Sequence, residues 1–142
     1  MDPTPEPAPT LEPDVTVDMV LGSDEILRGL KHYRRIAKQD LLRADATEDP
    51  DASRQHAEAR REVYAELATL ASTHPPETVA KAALARYADL PFVTGSAAHE
   101  HVDVKGAENA LENFFLMIGL APKVRREVRS RRPSKVDADP DA

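Results

Sequence analysis

Apolar residues recur along most of this chain at spacings of three and four, the period of one helix face. Ile26, Leu30, Tyr33, Ala37, Leu41 and Ala44 form the first such stripe and predict a helix from Ser23 to about residue 45. Ser23 reads as its N-cap, with Asp24 and Glu25 suited to the positive end of the helix dipole. Gly29 inside this run costs about 1 kcal/mol relative to Ala without overturning the pattern. Thr47-Glu48-Asp49-Pro50 breaks it. A second stripe, His56, Ala59, Val63, Leu67 and Leu70, widened by Tyr64, Ala68 and Ala71, predicts a helix over about 51–72. Its other face carries Arg54, Glu58, Arg61, Glu62 and Glu66 in staggered charge order. His74-Pro75-Pro76 stops and restarts the chain, and Val79, Ala80, Ala83, Leu84 and Tyr87 mark a third helix over about 76–90.

Pro91 ends that helix, and residues 91–102 read as a loop around Gly95. A fourth helix over about 103–119 is the most apolar segment, with Val104, Ala107, Leu111, Phe114, Phe115 and Ile118 on its stripe. Gly119 suits a left-handed C-cap, and Pro122 suits the first turn of a fifth helix. Val15, Val17 and Met19 alternate with polar residues like a short strand, but the pattern offers no second strand to pair with them. The expected architecture is therefore all-α: a small antiparallel bundle of four to five helices. Residues 1–22, with five prolines in the first fourteen, read as a disordered acidic arm. Residues 23–132 read as the bundle, ending in a basic helix, and residues 133–142 as a disordered acidic tail.

Composition adds exclusions. The chain has 142 residues, 41% of them hydrophobic, and no cysteine, so neither disulfides nor thiolate metal sites arise. Apolar runs fall short of the roughly 18 residues of a membrane span, and no secretory signal pattern opens the chain. A cytoplasmic protein without membrane contact is expected. Among candidate chemistry, His99-Glu100-His101 with Asp103 is the one cluster of metal-ligand types, and its alternate spacing suits a solvated loop better than a metal site. Glu58, Glu62 and Glu66, and Glu108 with Glu112, read as solvated helix faces. His32, His56 and His74 are scattered. Nucleophile elbows, phosphate loops and dinucleotide fingerprints are absent. The expectation is a protein that is not an enzyme, takes no cofactor or metal, and has no small-molecule substrate.

Charge is segregated behind a net value of −6. Asp2, Glu6, Glu12, Asp14 and Asp18 stand in the N-terminal arm without a cation. Lys123, Arg125, Arg126, Arg129, Arg131, Arg132 and Lys135 face a single carboxylate, Glu127, and Asp137, Asp139 and Asp141 close the chain. If Pro122 starts a helix, Arg125, Arg126 and Arg129 share a cationic face, and Val124 and Val128 form a stripe able to dock on the bundle. Arg donates in pairs and keeps its charge, which suits phosphate. Lys123, Arg125, Arg126, Arg129, Arg131 and Arg132 are thus the candidate nucleic-acid or anion-binding residues. The competing readings are a terminal helix that is solvated or neutralises the chain's own acidic arms, and an acidic protein partner. Phe114 and Phe115 both fall on the richest apolar stripe, and a bundle this small is expected to leave one exposed for self-association into a homo-oligomer.

Gly119-Leu120-Ala121-Pro122, followed by Lys123-Val124-Arg125-Arg126, resembles the C-terminal part of phage terminase small subunits. Those proteins often join an apolar helix through a Gly-Leu-Thr-Pro turn to an arginine-bearing stretch. Ala121 stands where that turn has threonine, and the family's N-terminal helix-turn-helix has no clear counterpart. The resemblance implies a non-enzymatic oligomeric adaptor that binds viral DNA and engages a packaging motor. Arg60-Arg61-Glu62-Val63-Tyr64-Ala65-Glu66-Leu67 with Pro76-Glu77-Thr78-Val79 also looks like uncharacterised helical-hairpin proteins of high-GC bacteria. That likeness implies a protein–protein interaction module with no nucleic-acid role.

Overall fold

The computed structural model describes residues 19–93, 101–132 and 135–136. Five α-helices account for most of them: α1 (Ser23–Leu42), α2 (Pro50–Ala71), α3 (Pro76–Asp89), α4 (Val102–Ile118) and α5 (Pro122–Arg129). A 3-10 turn, Ala44–Ala46, follows α1. The arm expected over 1–22 and the tail expected over 133–142 fall largely outside the described residues.

Local chemistry sets the helix ends. The N-cap of α1 is Gly22 rather than Ser23, because the Glu25 carboxylate reaches back to accept from the Gly22 N–H at 2.8 Å. Asp49 caps α2, its Oδ1 accepting from the Ala52 N–H at 3.2 Å, with Pro50 in the first turn. The break between α1 and α2 is closed by Arg54, which donates to Asp45 and Asp51. Thr47 adds a hydrogen bond from Oγ1 to the Ala44 carbonyl. Gly119 adopts φ +73°, the left-handed conformation that glycine reaches without a Cβ penalty. The Leu120 N–H then returns to the Phe115 carbonyl at 2.9 Å, and Pro122 opens α5.

α2 is the central helix, packed on α1 and on α4. α1 and α2 run antiparallel: Tyr33 stacks on Tyr64 at 5.4 Å, and Asp40 pairs with Arg60 at 3.0 Å. α4 is antiparallel to α1, with Gly29 against Met117. It therefore lies parallel to α2, with Gly106 against His56 and Asn113 donating to the Tyr64 hydroxyl. α3 doubles back along α2, with Arg86 meeting Glu66. At Gly106 the two helices meet so closely that a Cβ would sit 2.6 Å from the His56 carbonyl oxygen.

The core draws Ile26, Leu30 and Ala37 from α1, Val63, Tyr64 and Leu67 from α2, Val79, Ala80, Ala83, Leu84 and Tyr87 from α3, and Val128 from α5. Phe114 and Phe115 of α4 are both buried, at 0% and 2% exposure, contrary to the expectation that one would face solvent. Neighbouring helical residues diverge by about 100°, and α4 is enclosed on both sides of that angle, by α2 and by α3. Tyr87 meets Phe115 edge-on at 5.2 Å.

One element has no counterpart in the sequence pattern. Phe92–Val93 (β1) and Lys135–Val136 (β2) form a two-residue parallel pair, Phe92 opposite Lys135 and Val93 opposite Val136. Residues assigned by sequence to the C-terminal tail thus return to the segment just after α3.

Candidate nucleic-acid interface

The six basic candidates divide into two groups. α5 sits on the bundle through Val128, which is buried, and Val124, which packs at the core edge. One helical turn beyond Val128, Arg132 turns inward and is 6% exposed. Its Nε donates to the Tyr87 carbonyl at 3.0 Å, and an Nη donates to Glu108 Oε2 at 3.0 Å. The guanidinium lies over the Tyr87 ring at 4.5 Å and 5.4 Å from that of Phe92. Arg129 donates to the same Glu108 oxygen at 3.2 Å and covers Phe92 at 5.0 Å. Glu108, assigned by sequence to a solvated face, is thus the anchor of the C-terminal segment. Tyr87 completes the cluster by donating from its hydroxyl to Glu112 at 2.7 Å. Burial and this hydrogen bond push the Tyr87 phenol well above its ordinary range, so it stays a donor.

Arg132 and Arg129 therefore position α5. Lys123 and Arg126 are exposed, Arg125 is half-buried and Arg131 is exposed. Lys123, Arg125 and Arg126 form no ion pair among the described residues. Arg126 and Arg129 also occupy the last turn of α5, where a cation complements the helix dipole. α5 thus has an inward side that docks and an outward side that carries charge.

A second polar cluster links α1 to α2. Arg60 donates from Nε to His56 Nδ1 at 3.1 Å while its Nη2 meets Asp40. That bond needs an unprotonated Nδ1, which puts the neutral imidazole's proton on Nε2. Burial first, and the Arg60 charge second, hold His56 below its ordinary pKa of 6.5. These side chains, with Arg43, Thr47 and Ser53, line an open depression of about 500 Å³. The order Asp40–Arg60–His56 spends the basic ring nitrogen on a structural bond.

His99 and Glu100 lie outside the described residues. Among the described residues no group of three His, Asp or Glu side chains could hold a metal ion, and no helix is long and apolar enough to cross a membrane. Comparison with protein-family models, curated proteins and solved structures finds no match for this chain.

Sequence reasoning missed the anchoring role of Arg132 because a basic run carries no sign of which member faces inward. A signal existed: Arg132 lies four residues beyond Val128, on the docking side of α5.

Proposed function

We propose that this chain is a non-enzymatic helical adaptor that binds DNA along its phosphate backbone, in the setting of phage genome packaging. The observation that supports the reading is the two-sided character of α5. Val128 and Arg132 fix the helix to the bundle, so Lys123, Arg125 and Arg126 project from a rigid element with no carboxylate paired to them among the described residues. Such contacts give affinity that falls with salt and little sequence preference. Substituting Lys123, Arg125 and Arg126 together by Ala should weaken binding to a short duplex and flatten its salt dependence. Wild-type protein that leaves the duplex unshifted even at low salt would dispose of the reading.

A second reading, a protein–protein module that self-associates, draws on different groups. With Phe114 and Phe115 inside, a contact between copies would draw on an exposed apolar residue such as Leu116, which is 72% exposed on α4. Light scattering during size exclusion tests it: a monomer at high concentration counts against it, and a dimer lost on Leu116→Ser supports it.

A further inference from the structure

α1 carries a larger cationic surface than α5, in a part of the sequence that charge segregation did not mark. Lys31, Arg34, Arg35 and Lys38 stand at i, i+3, i+4 and i+7, so all four share one face, and all are exposed. Arg28 continues the face one turn earlier. Between Glu25 and Asp40, α1 has no carboxylate. Arg61 of α2 joins Lys31, Arg34, Arg35 and Lys38 around an open depression of about 380 Å³. The Arg61 Nε is buried and has no hydrogen-bond partner among the described residues.

Five arginines elsewhere are paired, while the α1 row shares with Lys123, Arg125 and Arg126 of α5 the lack of an ion pair among the described residues. Arg54, Arg60, Arg86, Arg129 and Arg132 all meet carboxylates. Lys31, Arg34, Arg35 and Lys38 form no ion pair among the described residues, although Glu58 and Glu62 border the adjoining depression with Arg34 and Arg61. Like charges three and four apart on a helix repel and lower its stability. A row of them left unneutralised is therefore an unfavourable arrangement that a polyanion reverses.

We infer that this face of α1, with Arg61, is a binding surface for the phosphodiester backbone of a nucleic acid. Three features select that occupant. The cations run in a line along one helix, as phosphates do along a strand. Four of the six are Arg, whose fork matches phosphate oxygens in pairs. Ile36, 39% exposed, is the one exposed large hydrophobic within this stretch of α1 among the described residues and lies to one side of the row, so the row offers a protein partner little apolar anchor. The inference rests on the reading that this chain holds a phosphate polymer, but assigns that polymer to a different helix.

The test is a fluorescence-anisotropy titration of a 20-base-pair duplex of arbitrary sequence, with the full chain, across a salt series. Each phosphate neutralised contributes about 0.9 to the slope of log affinity against log salt. The variant Lys31→Gln, Arg34→Gln, Arg35→Gln, Lys38→Gln should lose up to about 3.6 units of slope and at least tenfold in affinity at low salt. Its melting temperature should stay level or rise, because the repulsion is gone and Gln is a good helix former. A variant that binds with the wild-type slope would overturn the inference and leave the α5 reading standing. Absence of wild-type binding would overturn both. Wild-type binding to a poly-glutamate peptide, with no response to the duplex, would overturn the phosphate assignment and mark the face as a seat for an acidic protein segment.

Discussion

Replacing Arg132 by Ala separates the two roles that a basic residue near the end of this chain could have. In the structure the side chain is an anchor: it is buried, donates to the Tyr87 carbonyl and to Glu108, and lies over the Tyr87 ring. The hydrogen bonds of a charged donor are worth about 1.5–3 kcal/mol and the ring contact about 0.5–2 kcal/mol. Three effects reduce the loss. Glu108 keeps Arg129 and is 16% exposed, so it is not stranded as an unpaired buried charge. One Arg132 Nη has no hydrogen-bond partner among the described residues, so its burial cost disappears with the side chain. Release of α5 alone also limits the damage. A net loss of about 2 kcal/mol follows, a fall in melting temperature of roughly 5–10 °C for a domain of this size. Urea unfolding at neutral pH measures the loss, and Glu108→Gln in single and double combination should show a coupling of about 1 kcal/mol. The salt slope of DNA binding should change by less than one phosphate contact. Stability within about 0.5 kcal/mol of wild type, together with a slope lower by about 0.9, would refute the reasoning and make Arg132 a phosphate contact.

Three further outcomes follow from other parts of the molecule. The folded-state pKa of His56 is held below 6.5, so below that pH the unfolded chain takes up a proton that the native protein resists; stability should fall on acidification below 6.5, and His56→Gln should flatten that limb of a stability–pH curve. Gly106→Ala would place a Cβ 2.6 Å from the His56 carbonyl oxygen and 3.0 Å from the Ala59 Cβ, so α2 and α4 must separate; a loss of about 1–3 kcal/mol in chemical denaturation is expected despite the better helix propensity of Ala. Removing residues 1–18, which carry five carboxylates and no cation, should tighten DNA binding severalfold at low salt and have little effect at high salt; equal affinities at low salt would show that the arm does not compete.

The helices were legible because each has a stripe with the right period and a chemical stop. Predicted ends lie within a few residues of those observed, and the largest adjustment came where Ala44–Ala46 tightened into a 3-10 turn instead of continuing α1. Gly22 was hidden as the N-cap because the capping interaction comes from Glu25, three residues on. The burial of both phenylalanines, the β1–β2 pair and the placement of Arg132 were not legible. Each depends on which distant element covers a face, and periodicity says only that a face exists. The α1 stripe was written openly in the sequence as Lys31, Arg34, Arg35 and Lys38. It is interleaved with apolar residues, so inspection for blocks of one sign passes over it.

The parallel run of α4 along α2 has a consequence for how the molecule assembles. α1 and α2 meet across a short break, residues 43–49, so their pairing closes a small loop at little entropic cost. α4 reaches its place only after α3 has brought the chain back, joining His56 to Gly106 across fifty positions of sequence. Loop-closure entropy therefore favours the α1–α2 hairpin as the half that can pair locally, with α4 and α5 dependent on longer-range contacts. The cationic row on α1 belongs to the half built from the closer contacts in sequence. The Arg132 anchor belongs to the half whose contacts span the longer stretches of sequence, with Arg132 reaching back to Tyr87 and Glu108.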